Sequence, residues 1–228
     1  MVKSKVSRKE LLNKPDEFIS KTARAIIFAK EHEKQLQYIG IAIVVLVLIW
    51  IGTSTYMGRV NKKGQEAFNI AYFSITNNIA TGIDDTKLNE SEGLFKQVTD
   101  NYGMSKAATL ALPELAYIKY MQKEYDAAID LYQQFQDEIS ADDPYQSLTN
   151  LALAVCFEEK GDMDNAINIL EQITEGEADY FKEQAMLNLS RIYSLANQED
   201  KSQEMLKDFV EKYQQSPFLA IAKARLKS

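Results

Sequence analysis

The sequence is poor in the residues that build small, chemically dedicated sites, with one Cys and one His in 228 residues. A single Cys closes no intrachain disulfide, and with a single His it furnishes neither a zinc finger nor a zinc ribbon. Nine Gly and four Pro are too few turn formers for the many short strands of a sandwich or barrel, so long helices are expected. Positive charge is also scarce: 26 Lys and Arg against 33 Asp and Glu leave a net charge of −7. Affinity for nucleic acid comes from clustered cations that neutralise phosphates, so nucleic acid is not an expected partner. With 46% hydrophobic and 26% charged residues, the composition is still neither disordered nor collagen-like.

Charge disappears altogether between Gln35 and Gly58, where Tyr38 to Tyr56 reads YIGIAIVVLVLIWIGTSTY. A helix of this length measures about 28 Å, close to the roughly 30 Å hydrocarbon thickness of a bilayer. A single transmembrane helix is therefore expected over 38–57, anchored by Tyr38 and Tyr56 at headgroup level and by Trp50 somewhat deeper. A long segment precedes this core and no A-x-A-like site follows Trp50, so an uncleaved anchor is expected rather than a signal peptide.

Residues 1–37 hold nine basic residues (Lys3, Lys5, Arg8, Lys9, Lys14, Lys21, Arg24, Lys30, Lys34) and five acids, a net of +4 that leaves −11 for the remainder. The basic side is expected in the cytoplasm and the acidic domain, 59–228, outside it, although Arg59, Lys62 and Lys63 weaken that bias. Residues 13–36 read as a helix that opens at Pro15, Asp16 and Glu17, with Phe18, Ile19, Thr22, Ala23, Ile26 and Ile27 recurring at helical spacing. It suits either the inner leaflet or a docking partner. His32, between Glu31 and Glu33, has no second ligand nearby in sequence and is expected to be solvated.

Beyond Lys63 the informative signal is self-similarity. EYDAAIDLYQQF (124–135), DMDNAINILEQI (162–173) and EDKSQEMLKDFV (199–210) align on Ala128, Ala166 and Ser202, at separations of 38 and 36 residues. An apolar helix precedes each: LPELAYIKYM, LALAVCFEEK and MLNLSRIYSL. The first helix of each pair sets a small residue (Ala116, Ala154, Ser190) after a Leu (Leu115, Leu153, Leu189); the second sets Tyr132, Leu170 and Leu206 four residues after its own small one. Small residues let paired helices approach and large ones fill the gaps. Lys119 stands where the first unit should carry an aromatic. The expected fold is all-α: the membrane helix, then a degenerate tetratricopeptide-repeat α-solenoid with units at about 105–140, 144–176 and 179–214 and a capping helix at 216–227. Residues 59–81 read as a further helix and 82–90 as a polar loop. Ser105 and Ser216 are candidate helix caps, and Pro113 is expected to kink its helix or reset its start.

The order of basic tail, one membrane helix and degenerate solenoid resembles the YfgM family of bacterial inner-membrane proteins. The Tyr-x-x-Ser pattern before an Ala-rich helix, at Tyr102/Ser105 and Tyr213/Ser216, is also similar to the periplasmic solenoids of the Tol-Pal coordinator (YbgF) and of the outer-membrane assembly lipoproteins. The YfgM likeness covers nearly the whole length, with a longer N-terminal tail. It implies an ancillary subunit of the Sec translocon in the inner membrane, with the N-terminus cytoplasmic and the solenoid periplasmic. Its implied partners are translocon subunits, a periplasmic chaperone or foldase and unfolded peptides. A scaffold for envelope assembly or division and a regulator acting through residues 1–37 remain open alternatives.

The inner face of such a stack is lined by its first helices. The outward-facing residues expected there are Tyr117, Tyr120 and Met121, then Leu151, Val155 and Glu158, then Leu187, Arg191 and Ser194, a set suited to an extended apolar or amphipathic peptide. The same groove is equally compatible with internal filling by helix 59–81. Cys156 lies in an apolar run, with no His in the domain to activate it, and reads as core. No Gly-rich phosphate loop, His-Glu-x-x-His helix or EF-hand loop occurs. No catalytic residue, metal, cofactor or small-molecule substrate is expected, and paired acids such as Asp84/Asp85 read as solvated charge; with a filled groove, partners are expected on the outer faces or on acidic edges such as Asp137/Glu138/Asp142/Asp143 or Glu158/Glu159.

Overall fold

The computed structural model describes residues 17–82, 84–141, 143–176 and 181–227. The tail residues up to Asp16, the side chains of Phe18, Ile19 and Thr22, Asp142 and the first residues of the third expected unit lie outside the described residues. Every described element is helical, and the chain divides into two compact units, Met1–Tyr56 and Met57–Ser228.

The first unit contains α1 (Glu17–Glu31) and the beginning of α2 (Glu33–Thr81). His32 interrupts the two; its ring stacks on Phe28 with centroids 4.3 Å apart, and its Nδ1 lies 3.0 Å from the Phe28 carbonyl. Within α2 the large apolar side chains from Ile39 to Ile51 are all exposed. The Thr53 hydroxyl donates to the Ile49 carbonyl at 2.9 Å, which satisfies a polar group inside an apolar stretch. Among the described residues, this is the one helix long and apolar enough to cross a membrane.

In the second unit, the remainder of α2 is followed by α3 (Asp85–Tyr102), α4 (Lys106–Met121), α5 (Tyr125–Glu138), α6 (Pro144–Glu159), α7 (Met163–Glu175), α8 (Lys182–Leu195), α9 (Glu199–Lys212) and α10 (Leu219–Arg225). From α3 onward, each helix packs chiefly on its neighbours in sequence, the one-dimensional order of a solenoid. Four apolar clusters follow that order. Ala71 and Ile75 of α2 join Phe95 and Val98 of α3 and Ala111 and Leu115 of α4. Ala116, Ala128, Tyr132, Leu153 and Cys156 link α4, α5 and α6. Ala154, Ala166, Leu170, Leu189 and Tyr193 link α6, α7 and α8. Met186, Leu187, Leu206, Phe209 and Ala222 link α8, α9 and α10. The small residues read from the repeat, Ala116, Ala154 and Ser190 with Ala128, Ala166 and Ser202, are all buried.

The turns between paired helices repeat as well. Lys123, Gly161 and Asn197 adopt φ of 63°, 79° and 58°. In each turn the left-handed residue's N–H reaches back three residues, as from Gly161 to Glu158, and the next N–H reaches back five, as from Asp162 to Phe157 at 2.9 Å. This is the doubly bonded helix stop that a left-handed residue permits. Only one of the three is Gly, so the sequence motif hides a uniform backbone.

Three local expectations need correction. The segment 82–90 is not all loop: α3 begins at Asp85 because the Asp84 carboxylate accepts from the Lys87 N–H at 2.9 Å, and Leu88 and Ser91 are buried. The helix buries so narrow a stripe that its polar surface reads as loop. Pro113 does not reset its helix, which runs unbroken from Lys106 to Met121; Ser105 sets the start, its hydroxyl accepting from the Ala108 N–H at 3.2 Å. Ser216 lies outside the short α10. Its Oγ accepts from the Phe218 N–H at 3.0 Å and donates to Glu183, so it braces α8.

Lys119, the unit's missing aromatic, sits in a polar layer. Its Nζ lies 3.0 Å from Glu92 of α3 and 3.1 Å from Glu124, while Gln122 donates to Glu92 at 3.1 Å. Burial alone would raise the Glu92 carboxyl, but hydrogen bonds from Lys96, Lys119 and Gln122 outweigh it and hold it at about 2 rather than 4.5. A carboxyl depressed on folding contributes stability that is complete above its unfolded value and is lost as pH falls through the folded one.

Three outcomes follow. A Cβ on Gly64 would fall 2.5 Å from Ser105 Oγ and 2.9 Å from its Cβ, so Gly64→Ala is expected to destabilise the second unit by about 1–3 kcal/mol, read as a lower chemical-denaturation midpoint. Lys123→Gly relieves the left-handed strain and should stabilise by roughly 1 kcal/mol, raising the melting temperature. The wild type should lose thermal stability between pH 4.5 and about 2 more steeply than Glu92→Gln, which instead starts lower at neutral pH by about 1–3 kcal/mol. Equal slopes for the two proteins would remove Glu92 from the acid response.

Candidate protein-docking site

An open cleft of about 580 Å³ lies between the first helices of the first two repeat pairs. From α4 it is lined by Leu110, Pro113, Glu114 and Tyr117, a stripe at i, i+3, i+4 and i+7; from α6 it is lined by Tyr145, Leu148, Leu151 and Val155. Both stripes follow the helical period, so each helix presents one continuous side to the cleft. Tyr132 and Phe135 of α5 form the floor, Phe68 of α2 borders it, and Asn188 of α8 lies at one end. Tyr117 is 38% exposed and Tyr145 51%. The Tyr145 ring meets Phe135 edge-on at 6.3 Å, a geometry that holds it in place.

Helix 59–81 does not fill this groove. It turns Ala71 and Ile75 towards α3 and α4 instead, and of its described residues only Phe68 reaches the cleft. Burial raises the proton affinity of the Glu114 carboxyl and, more strongly, of the Tyr132 phenol, to which the Glu114 charge also contributes. Among the described residues, Glu114 is thus the one acid in an aromatic and aliphatic wall, and no lining residue is a cation.

Of the nine residues expected on the inner face, the structure brings Tyr117, Leu151 and Val155 together in the cleft. Tyr120 packs instead against the cluster of Ala116, Tyr132 and Cys156, with its ring 5.9 Å from Tyr125. Met121 packs on the cluster of Phe95 and Ile118. Glu158 and Arg191 bind each other through paired contacts, the Arg191 Nη2 donating at 2.6 Å, and so brace α6 against α8. Leu187 is a correction: it is 7% exposed and packs with Phe209 and Ala222, because α8 buries a wider arc than the other first helices. Ser194 is exposed and donates to Glu199 at 2.9 Å. The missed residues, Leu110, Glu114, Tyr145 and Leu148 among them, sit one to two turns earlier along α4 and α6. Carrying the period of Tyr117 and Leu151 backwards along each helix finds them.

Cys156 is 1% exposed and burial pushes its thiol up to about 11, so it is a packing residue. A second cleft of about 560 Å³ carries Glu171, Glu175, Asp208 and Glu211 around Met186 and Tyr193. There the Tyr193 hydroxyl donates to Glu171.

A comparison with curated proteins returns no match. In fold, the chain is similar to a tetratricopeptide repeat protein from Parabacteroides merdae, with a TM-score of 0.58, 13% identity and coverage of 73% of this chain and 59% of that one. It is also similar to the nearly identical TPR-like repeats of a Podosopora anserina kinesin light chain, with a TM-score of 0.57, 16% identity and coverage of 73% and 84%. For BtubC from P. vanneervenii the TM-score is 0.52, with 15% identity and coverage of 75% and 80%. At these identities the likeness is one of fold. Residues 184–216 match the tetratricopeptide repeat itself. Since residues 32–185 match the tetratricopeptide repeat-like domain, the chain belongs to that family of repeat scaffolds.

Proposed function

We propose that the protein is a membrane-anchored, non-enzymatic docking platform whose solenoid lies on the periplasmic face of a bacterial inner membrane. There it would hold a partner protein at the cleft between α4 and α6. The carrying observation is an open cleft lined mainly by aromatic and aliphatic side chains, on a repeat scaffold whose use is protein–protein interaction. Rigid aromatic rings supply contact area at small entropic cost, which suits a peptide better than a small polar metabolite. The exposed apolar run of α2 and the opposed charges of the two sides, +4 and −11, support an anchor with its basic end in the cytoplasm. The architectural resemblance to YfgM proteins favours partners at the protein-export channel, either translocon subunits or a periplasmic chaperone or foldase.

Protease added to spheroplasts should digest residues 59–228; protection of that domain overturns the orientation. A photocrosslinking amino acid at Tyr117 or Leu148 should yield adducts with a translocon subunit or foldase in intact cells. Adducts with envelope-assembly or division proteins alone would replace this reading with the scaffold alternative. Absence of adducts at both positions, with adducts elsewhere on the solenoid, would remove the cleft as the docking site.

A further inference from the structure

We propose that the cleft selects an apolar peptide segment carrying a Lys or Arg, with the cation placed against Glu114. This deepens the docking function proposed above and rests on it. The argument is one of charge complementarity. Among the described residues, the lining comprises five aromatic rings (Phe68, Tyr117, Tyr132, Phe135, Tyr145), aliphatic side chains, two neutral polar residues and a single carboxylate, with no Lys, Arg or His. A carboxylate partly withdrawn from water and facing no cation in its own wall is an electrostatic vacancy for a positive group.

The same wall disfavours the opposite ligand. A peptide's terminal carboxylate or an acidic side chain would meet Glu114 with no cation among the described lining residues to offset the repulsion. Aromatic faces strengthen the preference, because ring quadrupoles attract ammonium and guanidinium groups brought within about 6 Å. Long basic side chains also suit the site sterically, since their methylene stems lie along apolar surface while the charged end reaches a polar group.

Neutral polarity in the cleft is already partly committed. The Thr149 hydroxyl donates to the Tyr145 carbonyl at 2.7 Å, which leaves Asn188 and the hydroxyls of the exposed Tyr117 and Tyr145 as the neutral groups available to a peptide backbone. The α6 stripe from Tyr145 to Val155 spans about 15 Å at 1.5 Å per residue, the length of four to five extended residues. The −11 charge of the chain beyond the apolar helix steers such a basic segment towards the domain.

The test uses the full chain in nanodiscs, with protein-free nanodiscs as the blank. Isothermal titration calorimetry is run with three peptides identical in their Leu and Phe flanks and differing at one central residue: Lys, Gln or Glu. The Lys peptide is expected to bind about ten-fold tighter than the Gln peptide, and the Glu peptide weakest. Glu114→Gln should bring the Lys peptide within about two-fold of the Gln peptide. Tyr117→Ser should weaken all three and keep their order.

Equal affinity for the Lys and Glu peptides overturns the assignment of Glu114 but leaves the docking function standing. So does a Lys preference that survives Glu114→Gln with an unchanged circular dichroism spectrum. Loss of all three peptides in Glu114→Gln also counts against it, since a neutral Gln leaves the apolar contacts in place. If the wild type binds none of the three, the docking site itself falls.

Discussion

The solenoid depends on one constraint: paired helices must come close enough for a single methyl or hydroxymethyl group to fill the space between them. Ala116 with Ala128, Ala154 with Ala166 and Ser190 with Ser202 meet it in successive units, and all six are buried. Close approach at these points lets Leu115, Leu153 and Leu189 reach the neighbouring helices and close the clusters that bridge units. It also explains why the turns share one backbone despite different residues. If the paired helices are to touch at the same height in each unit, the chain must reverse in the same number of residues. The left-handed position at Lys123, Gly161 and Asn197 provides that reversal in every case, and where the residue is not Gly its strain is offset by the packing the turn allows.

The first unit is the most altered, and the alterations are linked. Replacing the expected aromatic by Lys119 removes apolar filling and introduces a charge. That charge is tolerable because α3 supplies Glu92 and the following turn supplies Glu124, at 3.0 and 3.1 Å. An ion pair of this kind is weak evidence for stability, because desolvation consumes much of the attraction. Its clearer consequence is register: Lys119 can satisfy both acids in only one arrangement of α3 against α4. At the opposite end of α4, Gly64 is held against Ser105 and Asn61 accepts from the Lys106 N–H at 3.0 Å, so separate contacts seat this part of α2 on the first repeat.

The repeat was legible in the sequence because packing acts through residue size at fixed spacing, and Ala128, Ala166 and Ser202 display that spacing without help from the rest of the chain. The cleft was legible only in part. Tyr117, Leu151 and Val155 follow from the register, yet Glu158 and Arg191 looked equally outward until each proved to be the other's partner. Such a pairing between α6 and α8 depends on the rotation from one unit to the next, which a single helix's periodicity does not contain. Glu114 escaped notice for the converse reason: acids are abundant in this chain, and what distinguishes this one is the aromatic wall that three other helices place around it. The start of α3 was masked by composition, since a helix that buries little beyond Leu88, Ser91, Phe95 and Val98 resembles a polar loop when read alone.

The apolar stretch of α2 belongs to a different balance. Eleven large apolar side chains between Ile39 and Ile51 are exposed. Leaving a side chain of this kind in water forgoes about 1.5–3 kcal/mol, so together they represent on the order of 20 kcal/mol. A whole domain is typically stable by only about 5–15 kcal/mol, and no local packing offsets a deficit of that size. In the second unit an exposed ring such as Tyr117 is a small local cost that a bound peptide can recover. In α2 the exposed surface is continuous, uncharged and as long as a bilayer is thick, so what it requires is a solvent rather than a partner. The proposed membrane anchorage supplies that solvent, and the absence of charge from Gln35 to Gly58 is what admits the segment to it.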